Sequence, residues 1–243
     1  SKSTGSSSAS LINTAIIIRS HCNGIGGSLM LFLFMFLLAN SASAATITWT
    51  NGGGNGVWSN PLNWDSGTVP ATGDDIIIPD ISDCTVDIAD TVNSITINAN
   101  HSLILSQALT VNGDVTLDNL LHLRTANQSH LLVHGNVVTN DVDYLYANAA
   151  QTPDIRLVGT ADQSISGTGI IHDLDIQKPS GDVLMLDDLE LTDGELMGSG
   201  SLKNSGGSLK VITGSDLTSY EFDFTGTLDE LEIATANTVR VQQ

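Results

Sequence analysis

The chain has 243 residues, enough for one large or two small domains, with 41% hydrophobic, 5% aromatic and 14% charged residues. That composition excludes collagen-like, coiled-coil and disordered polymers. Eight basic against 27 acidic residues give a net charge of −19, so nucleic acid is repelled along most of the surface and is discarded as a partner.

The chain opens on a leader, residues 1–44. Ser28 to Leu38 is an apolar run, and Ala39-Asn-Ser-Ala42-Ser-Ala44 supplies the small residues of a signal-peptidase site, so this segment is expected to direct export and to be removed. Its apolar core is about half of the roughly 20 residues that a membrane helix needs, which leaves no span in the mature chain. Removal takes Lys2 and Arg19 with it and leaves 6 basic against 27 acidic residues, or −21. It also removes Cys22. Cys84 then has no intramolecular partner and reads as a small buried apolar residue.

Residues 45–79 differ from everything after them. They hold all three tryptophans, Trp49, Trp58 and Trp64, and three of the five prolines, and they are punctuated by Gly52-Gly-Gly54, Gly56, Gly67 and Gly73. Large rings close the open end of a stack of strands, and the glycines allow the turns that fold the segment back over it. An uncovered strand edge would otherwise recruit other chains. We therefore read a structural cap built on Trp49, Trp58, Trp64, Pro70, Asp74 and Asp75. Asn51-Gly-Gly-Gly-Asn55-Gly56 has no following Lys-Ser/Thr and no helix, so it is a turn and not a phosphate loop.

Residues 80–243 are a series of short alternations: Ile95-Thr-Ile97, Leu103-Ile-Leu105, Leu109-Thr-Val111, Val115-Thr-Leu117, Leu131-Leu-Val133, Ile155-Arg-Leu157, Leu174-Asp-Ile176, Leu189-Glu-Leu191, Leu209-Lys-Val211 and Leu231-Glu-Ile233. Period two with a polar middle residue gives strands with one dry and one wet face. Several units recur at about 15 to 22 residues, the spacing of a stacked array. The fold predicted is all-β: a right-handed parallel β-helix, or β-solenoid, with aliphatic ladders inside and polar residues at the corners. An antiparallel β-sandwich is the alternative, since it also accepts short alternating strands. The shortness of the strands and the near absence of aromatics between Trp64 and Tyr144 favour the solenoid. Val239-Arg-Val241 ends the chain inside a strand pattern, so a continuation of the natural protein is expected.

The motifs W-S-N-P-x-N-W (58–64), G-x-V-P (67–70), G-D-D-I-I-I-P (73–79) and V-N-S-I-T-I-N (92–98) resemble, in that order, the opening of G8-type domains and of many bacterial secreted β-helix surface proteins. The resemblance covers roughly residues 46–105. It implies an extracellular, strand-rich module with an adhesive, carbohydrate-associated or scaffolding role, often the first part of a longer surface protein, and it carries over no catalytic residue.

Several constellations are candidates for chemistry. Asp74-Asp75, Asp187-Asp188 and His134 are the pieces from which a polysaccharide-cleaving acid/base pair would be assembled. The basic clamp that a uronate substrate needs is missing, because the mature basic residues are scattered singly. His172 alternates away from Asp173 and Asp175, so these three side chains do not converge on a metal, and the aspartates are expected to face solvent. His122, His130 and His134 fall in one region, but Leu121-His122-Leu123 turns that histidine away from its neighbours. Calcium is the ion best suited to the composition: Asp80, Asp83, Asp87 and Asp90 form one acidic cluster, and Asp187, Asp188, Asp193 and Glu195 a second. Neither follows a known calcium-loop pattern, and a solvated acidic surface is the simpler account. Tyr144, Tyr146, Tyr220 and Phe222 are the rings that would stack on a glycan, or simply pack. Asn127-Gln-Ser129 is a glycosylation acceptor in a eukaryotic host. The sequence thus reads as a non-catalytic structural or adhesive module with no required cofactor. A polysaccharide-binding or polysaccharide-degrading β-helix is the alternative, and an extracellular glycan or protein the ligand class.

Overall fold

A computed structural model describes residues 44–98, 100–118, 122–125, 129–140, 154–168, 170–171, 173–192, 196–212, 219–224, 226–228, 231–233 and 238–241. They belong to a single compact unit, and of the leader expected at 1–44 residues 1–43 lie outside them.

The chain winds as a parallel β-solenoid. An opening strand β1 (Thr46–Thr48) is followed by coils that place one short strand on each of three faces. The first coil is β2 (Asp75–Pro79), β3 (Cys84–Val86) and β4 (Asp90–Val92); the next is β5 (Ser94–Asn98), β6 (Ser102–Leu105) and β7 (Leu109–Val111). Then come β8 (Val115–Asp118), β9 (His122–Thr125) and β10 (His130–Val133), followed by β11 (Val137–Asn140) and β12 (Asp154–Val158). The rest of the winding is β13 (Gln163–Ser166), β14 (Ile170–Ile171), β15 (Asp173–Met185), β16 (Leu189–Thr192), β17 (Leu196–Asn204), β18 (Leu209–Ile212), β19 (Ser219–Phe224), β20 (Thr227–Leu228), β21 (Leu231–Ile233) and β22 (Thr238–Val241). β15 and β17 run around a corner and serve two faces each; the register of their pairing shifts between Gln177 and Asp182.

Every strand pairing among the described residues is parallel. Among the described residues the one antiparallel contact is the isolated Trp49–Trp64 bridge. This arrangement is the solenoid and not the sandwich, because parallel neighbours require a full crossover between them, and a third short strand supplies it here.

Register explains the sequence pattern. Ile76 pairs with Ile95, Ile95 with Val115, Val115 with Val137 and Val137 with Ile165, all buried, so one inward column of β-branched residues runs through successive coils. On the second face Cys84, Leu103 and Leu123 stack, and on the third Leu109, Leu131, Ile155, Leu174 and Leu196. Each such aliphatic side chain taken from water is worth about 1.5–3 kcal/mol. A one-residue slip would turn the whole column outward, which is why a strand of only three or four residues still pairs in one register.

Candidate functional site

The cap is where polar and aromatic chemistry is densest. Trp64 receives Trp49 edge-on at 5.0 Å and 73° and Trp58 at 4.6 Å and 76°, and all three rings are buried. Each indole N–H has a partner: Trp49 Nε1 donates to Ser82 Oγ (3.2 Å), Trp58 Nε1 to Asp90 Oδ2 (2.6 Å) and Trp64 Nε1 to the Trp58 carbonyl (2.8 Å). Pro61–Asn63 forms a single 3-10 turn capped by Asn60, which brings Asn63 inward to bond Asn55 and the Val57 carbonyl. The backbone of Gly56 and Trp58 pairs with Thr85, extending the sheet edge at β3. Asp65 closes the edge at β1, accepting from the Thr48 N–H and donating its own N–H to the Thr48 carbonyl. Pro70 is buried, and Asp74 accepts from the N–H groups of Ala45 and Ala71.

The acidic clusters have a common geometry. Asp80 Oδ1 accepts from the N–H of Asn100 and Asp83 Oδ1 from that of Ser102, each about one coil further along the chain. Asp87 binds the Ser59 N–H and hydroxyl, and Asp90 takes the Trp58 indole. Asp187 accepts from the Gly167 N–H of the coil before, and Asp188 from the N–H and hydroxyl of Ser208 in the coil after. A corner N–H that turns away from the strand ladder needs an acceptor, and a short carboxylate from the next rung provides a charge-assisted one. The same device repeats at Asp114 with Asn136 and at Asp162 with Asp182, and the neutral amide oxygen of Asn136 takes the same place for the Ser164 N–H. The two aspartate clusters among the described residues, Asp80–Asp90 and Asp187-Asp188, are therefore engaged in joining neighbouring segments of the stack. Among the described residues no three His, Cys, Asp or Glu side chains form a group that could hold a metal ion.

His101 is a residue the sequence reading passed over. It stands between two of the calcium candidates, with Nε2 3.5 Å from Asp80 Oδ1 and Nδ1 3.6 Å from Asp83 Oδ1, one carboxylate on each side of the ring and not both at one point. Its only sequence signal was its place 18 residues after Asp83, one coil length on.

Asp75 opens β2 and accepts from Ser94 Oγ (2.6 Å) and Asn93 Nδ2 (2.7 Å). These bonds, that from Ser94 first, hold its carboxyl below the ordinary value of 3.8. A depressed folded value means that the stabilisation is complete above the ordinary range and is lost as pH falls through the lower folded value. Asp75→Asn should cost about 1 kcal/mol at neutral pH, the net worth of such bonds. The gap between the two proteins should close as the pH falls through the lowered folded value of Asp75, where the wild-type carboxyl is protonated as well. Unfolding free energies across that titration check it; a gap independent of pH would show that the carboxylate charge contributes nothing.

The residues proposed for acid/base work do not assemble. Asp74 and Asp75 lie at the first coil, His134 follows β10, and Asp187-Asp188 lie between β15 and β16, each carboxylate already occupied as described. Asp175 corrects the expectation of a solvent-facing carboxylate: it is 3% exposed, accepting from Arg156 Nε at 2.6 Å and Gln177 Nε2 at 2.9 Å. It does stand at an outward register position, but the side chain of the rung below folds over it. Cys84 is buried, and burial, with the Asp87 and Asp83 carboxylates adding, pushes its thiol well above the ordinary value. That keeps it protonated and unreactive. Tyr144, Tyr146, Asn127, His172, Asp193 and Glu195 lie outside the described residues. Tyr220 and Phe222 fall on β19, where Phe222 takes the register position of Leu196.

A buried polar pair has no counterpart in the sequence reading. Gln163, 2% exposed, donates from Nε2 to the carbonyls of Val133 (3.0 Å) and Gly135 (2.6 Å). Lys178, 5% exposed, donates from Nζ to Gln163 Oε1 and to the Ala161 carbonyl, both at 2.6 Å. Both sit at the corner where β15 turns, which no alternation pattern marks.

Among the described residues no helix is long and apolar enough to cross a membrane. Comparison of the chain with protein-family models, with curated proteins and with solved structures found no match.

Proposed function

We propose that this chain is a non-catalytic structural or adhesive module, a β-solenoid segment of an extracellular bacterial surface protein. The observation that supports it most is the use to which the carboxylates are put: Asp80, Asp83, Asp87, Asp90, Asp187 and Asp188 all accept hydrogen bonds that join one coil to another or the cap to the first coil. An acid/base pair needs carboxyls free to exchange protons with a substrate, and a cation site needs several aimed at one point. The resemblance of residues 46–105 to the opening of G8-type and secreted β-helix proteins supports the same reading. The acidic excess, −21 once residues 1–44 are removed, keeps copies of the module apart and disfavours nucleic acid.

The test has two arms. Incubated with polygalacturonate, chitin, cellulose and mixed-linkage glucan, the protein should release no reducing ends. Release that falls in Asp187→Asn or Asp188→Asn would overturn the reading in favour of a polysaccharide-degrading enzyme. On a glycan array run with and without chelator, binding that survives chelation identifies the adhesive form and no binding the structural one. Sugar binding abolished by chelator would instead make the acidic corners calcium ligands and overturn the account of them given above.

A further inference from the structure

We propose that Gln163 and Lys178 are a self-modification site, at which the lysine amine displaces ammonia from the glutamine carboxamide to form an intramolecular amide cross-link. Lys178 Nζ is 2.6 Å from Gln163 Oε1. With a carbonyl bond of about 1.23 Å, that contact places Nζ no further than about 3.8 Å from Cδ, the atom it must reach. Reacting atoms held about 3 to 3.5 Å apart gain most of the advantage of an intramolecular reaction, so a small rotation about the lysine side chain suffices.

Three features of the corner favour the reaction over an ordinary polar contact. The carboxamide is fixed, because its Nε2 is held by the Val133 and Gly135 carbonyls of the preceding coil, which leaves Oε1 and Cδ turned toward the amine. Among the described residues the hydrogen-bond partners of the amine are neutral oxygens, from Ala161 and Gln163. Burial pushes its pKa below the ordinary lysine value, with Asp162 and Asp182 opposing, so more of it is present as the nucleophilic free base. Both groups are almost completely shielded, which keeps water from competing as the nucleophile.

The chemistry balances without any co-reactant. The Nζ lone pair attacks Cδ, and the tetrahedral adduct transfers a proton from Nζ to Nε2. The Cδ–Nε2 bond breaks and ammonia leaves, with no change in oxidation state. The product exchanges a buried ammonium for a neutral amide, which removes the cost of holding that charge away from water. Its remaining N–H serves one of the carbonyl oxygens that the pair now satisfies. Residues 163–178 span β13, β14 and the first part of β15, one winding of the solenoid, so the new bond closes a single coil into a covalent ring.

Mass spectrometry of the denatured full chain, followed by a peptide map, tests the proposal. The expected result is a chain lighter by one ammonia, with the peptide containing residue 163 joined to the one containing residue 178. The fraction joined should grow on incubation at raised pH, which supplies free-base amine. Lys178→Met and Gln163→Leu should each keep the unmodified mass, with circular dichroism reporting whether the strand content is retained. Wild-type protein that keeps both residues in separate, unmodified peptides after that incubation would overturn the proposal, as would ammonia loss mapped to another position. Neither outcome depends on a variant folding or on the biological role of the module.

Discussion

Trp58→Ala is expected to destabilise the N-terminal end of the solenoid by about 4 kcal/mol, the usual cost of deleting a buried aromatic side chain. Trp58 has no exposed surface and sits edge-on to Trp64, and its backbone N–H bonds the Thr85 carbonyl. Truncation leaves a cavity under Trp64 and takes the indole N–H from Asp90 Oδ2, which lies 2.6 Å away. Trp58→Phe keeps most of the packing and loses the hydrogen bond, so it should cost only about 1–2 kcal/mol. Denaturant unfolding followed by circular dichroism gives both values. Because neighbouring coils stabilise one another, loss of the cap should also bare the edges of β1 and β3 and promote association, seen as a rise in light scattering before unfolding. A Trp58→Ala protein within about 1 kcal/mol of wild type and equally monodisperse would mean that these rings do not hold the end of the coil.

Gly167→Ala should be as costly, for a different reason. Gly167 follows β13 with φ +98°, and a Cβ built there would stand 2.0 Å from the Thr139 carbonyl oxygen of the coil below. Backbone in the left-handed half of the map costs a non-glycine residue about 1–2 kcal/mol. The neighbouring coil must in addition move away, lengthening the bond between the Gly167 N–H and Asp187. We expect at least about 3 kcal/mol in total, in the range of disruptive core changes. Gly67, in the cap, is the control: its φ is +69° and a Cβ there would meet nothing within 4 Å. Gly67→Ala should therefore lose only the backbone share, about 1–2 kcal/mol. The difference between the two alanines measures how closely the coils approach at the corner, and equal losses would show that the approach is not limiting.

The class of fold was legible because it depends on local alternation. Ile95-Thr-Ile97 and Leu109-Thr-Val111 each declare a dry and a wet face, and their spacing declares a stack; the structure sets the isoleucines and leucines of both into continuous columns. The burial of the three tryptophans together was legible for the same kind of reason, since three large rings in one short segment have few places to go but a shared core. The corner carboxylates were visible as residues and not as a device. Asp80 and Asp83 look like a cation cluster in sequence because they are near each other along the chain, yet each is turned toward an N–H about one coil away.

Sequence by itself determined the winding, the inward columns and the acidic charge, all of which follow from residue type and period two. Tertiary structure alone decided which polar groups meet. Asp175 is buried although alternation points it outward, and Lys178 reaches Gln163 across a corner whose register shift no repeat predicts. The physical reason is that hydrophobic burial depends on the face a side chain occupies, which recurs every second residue. A hydrogen bond depends on distances of a few tenths of an ångström between atoms on different coils, and those are set only once the coils have stacked.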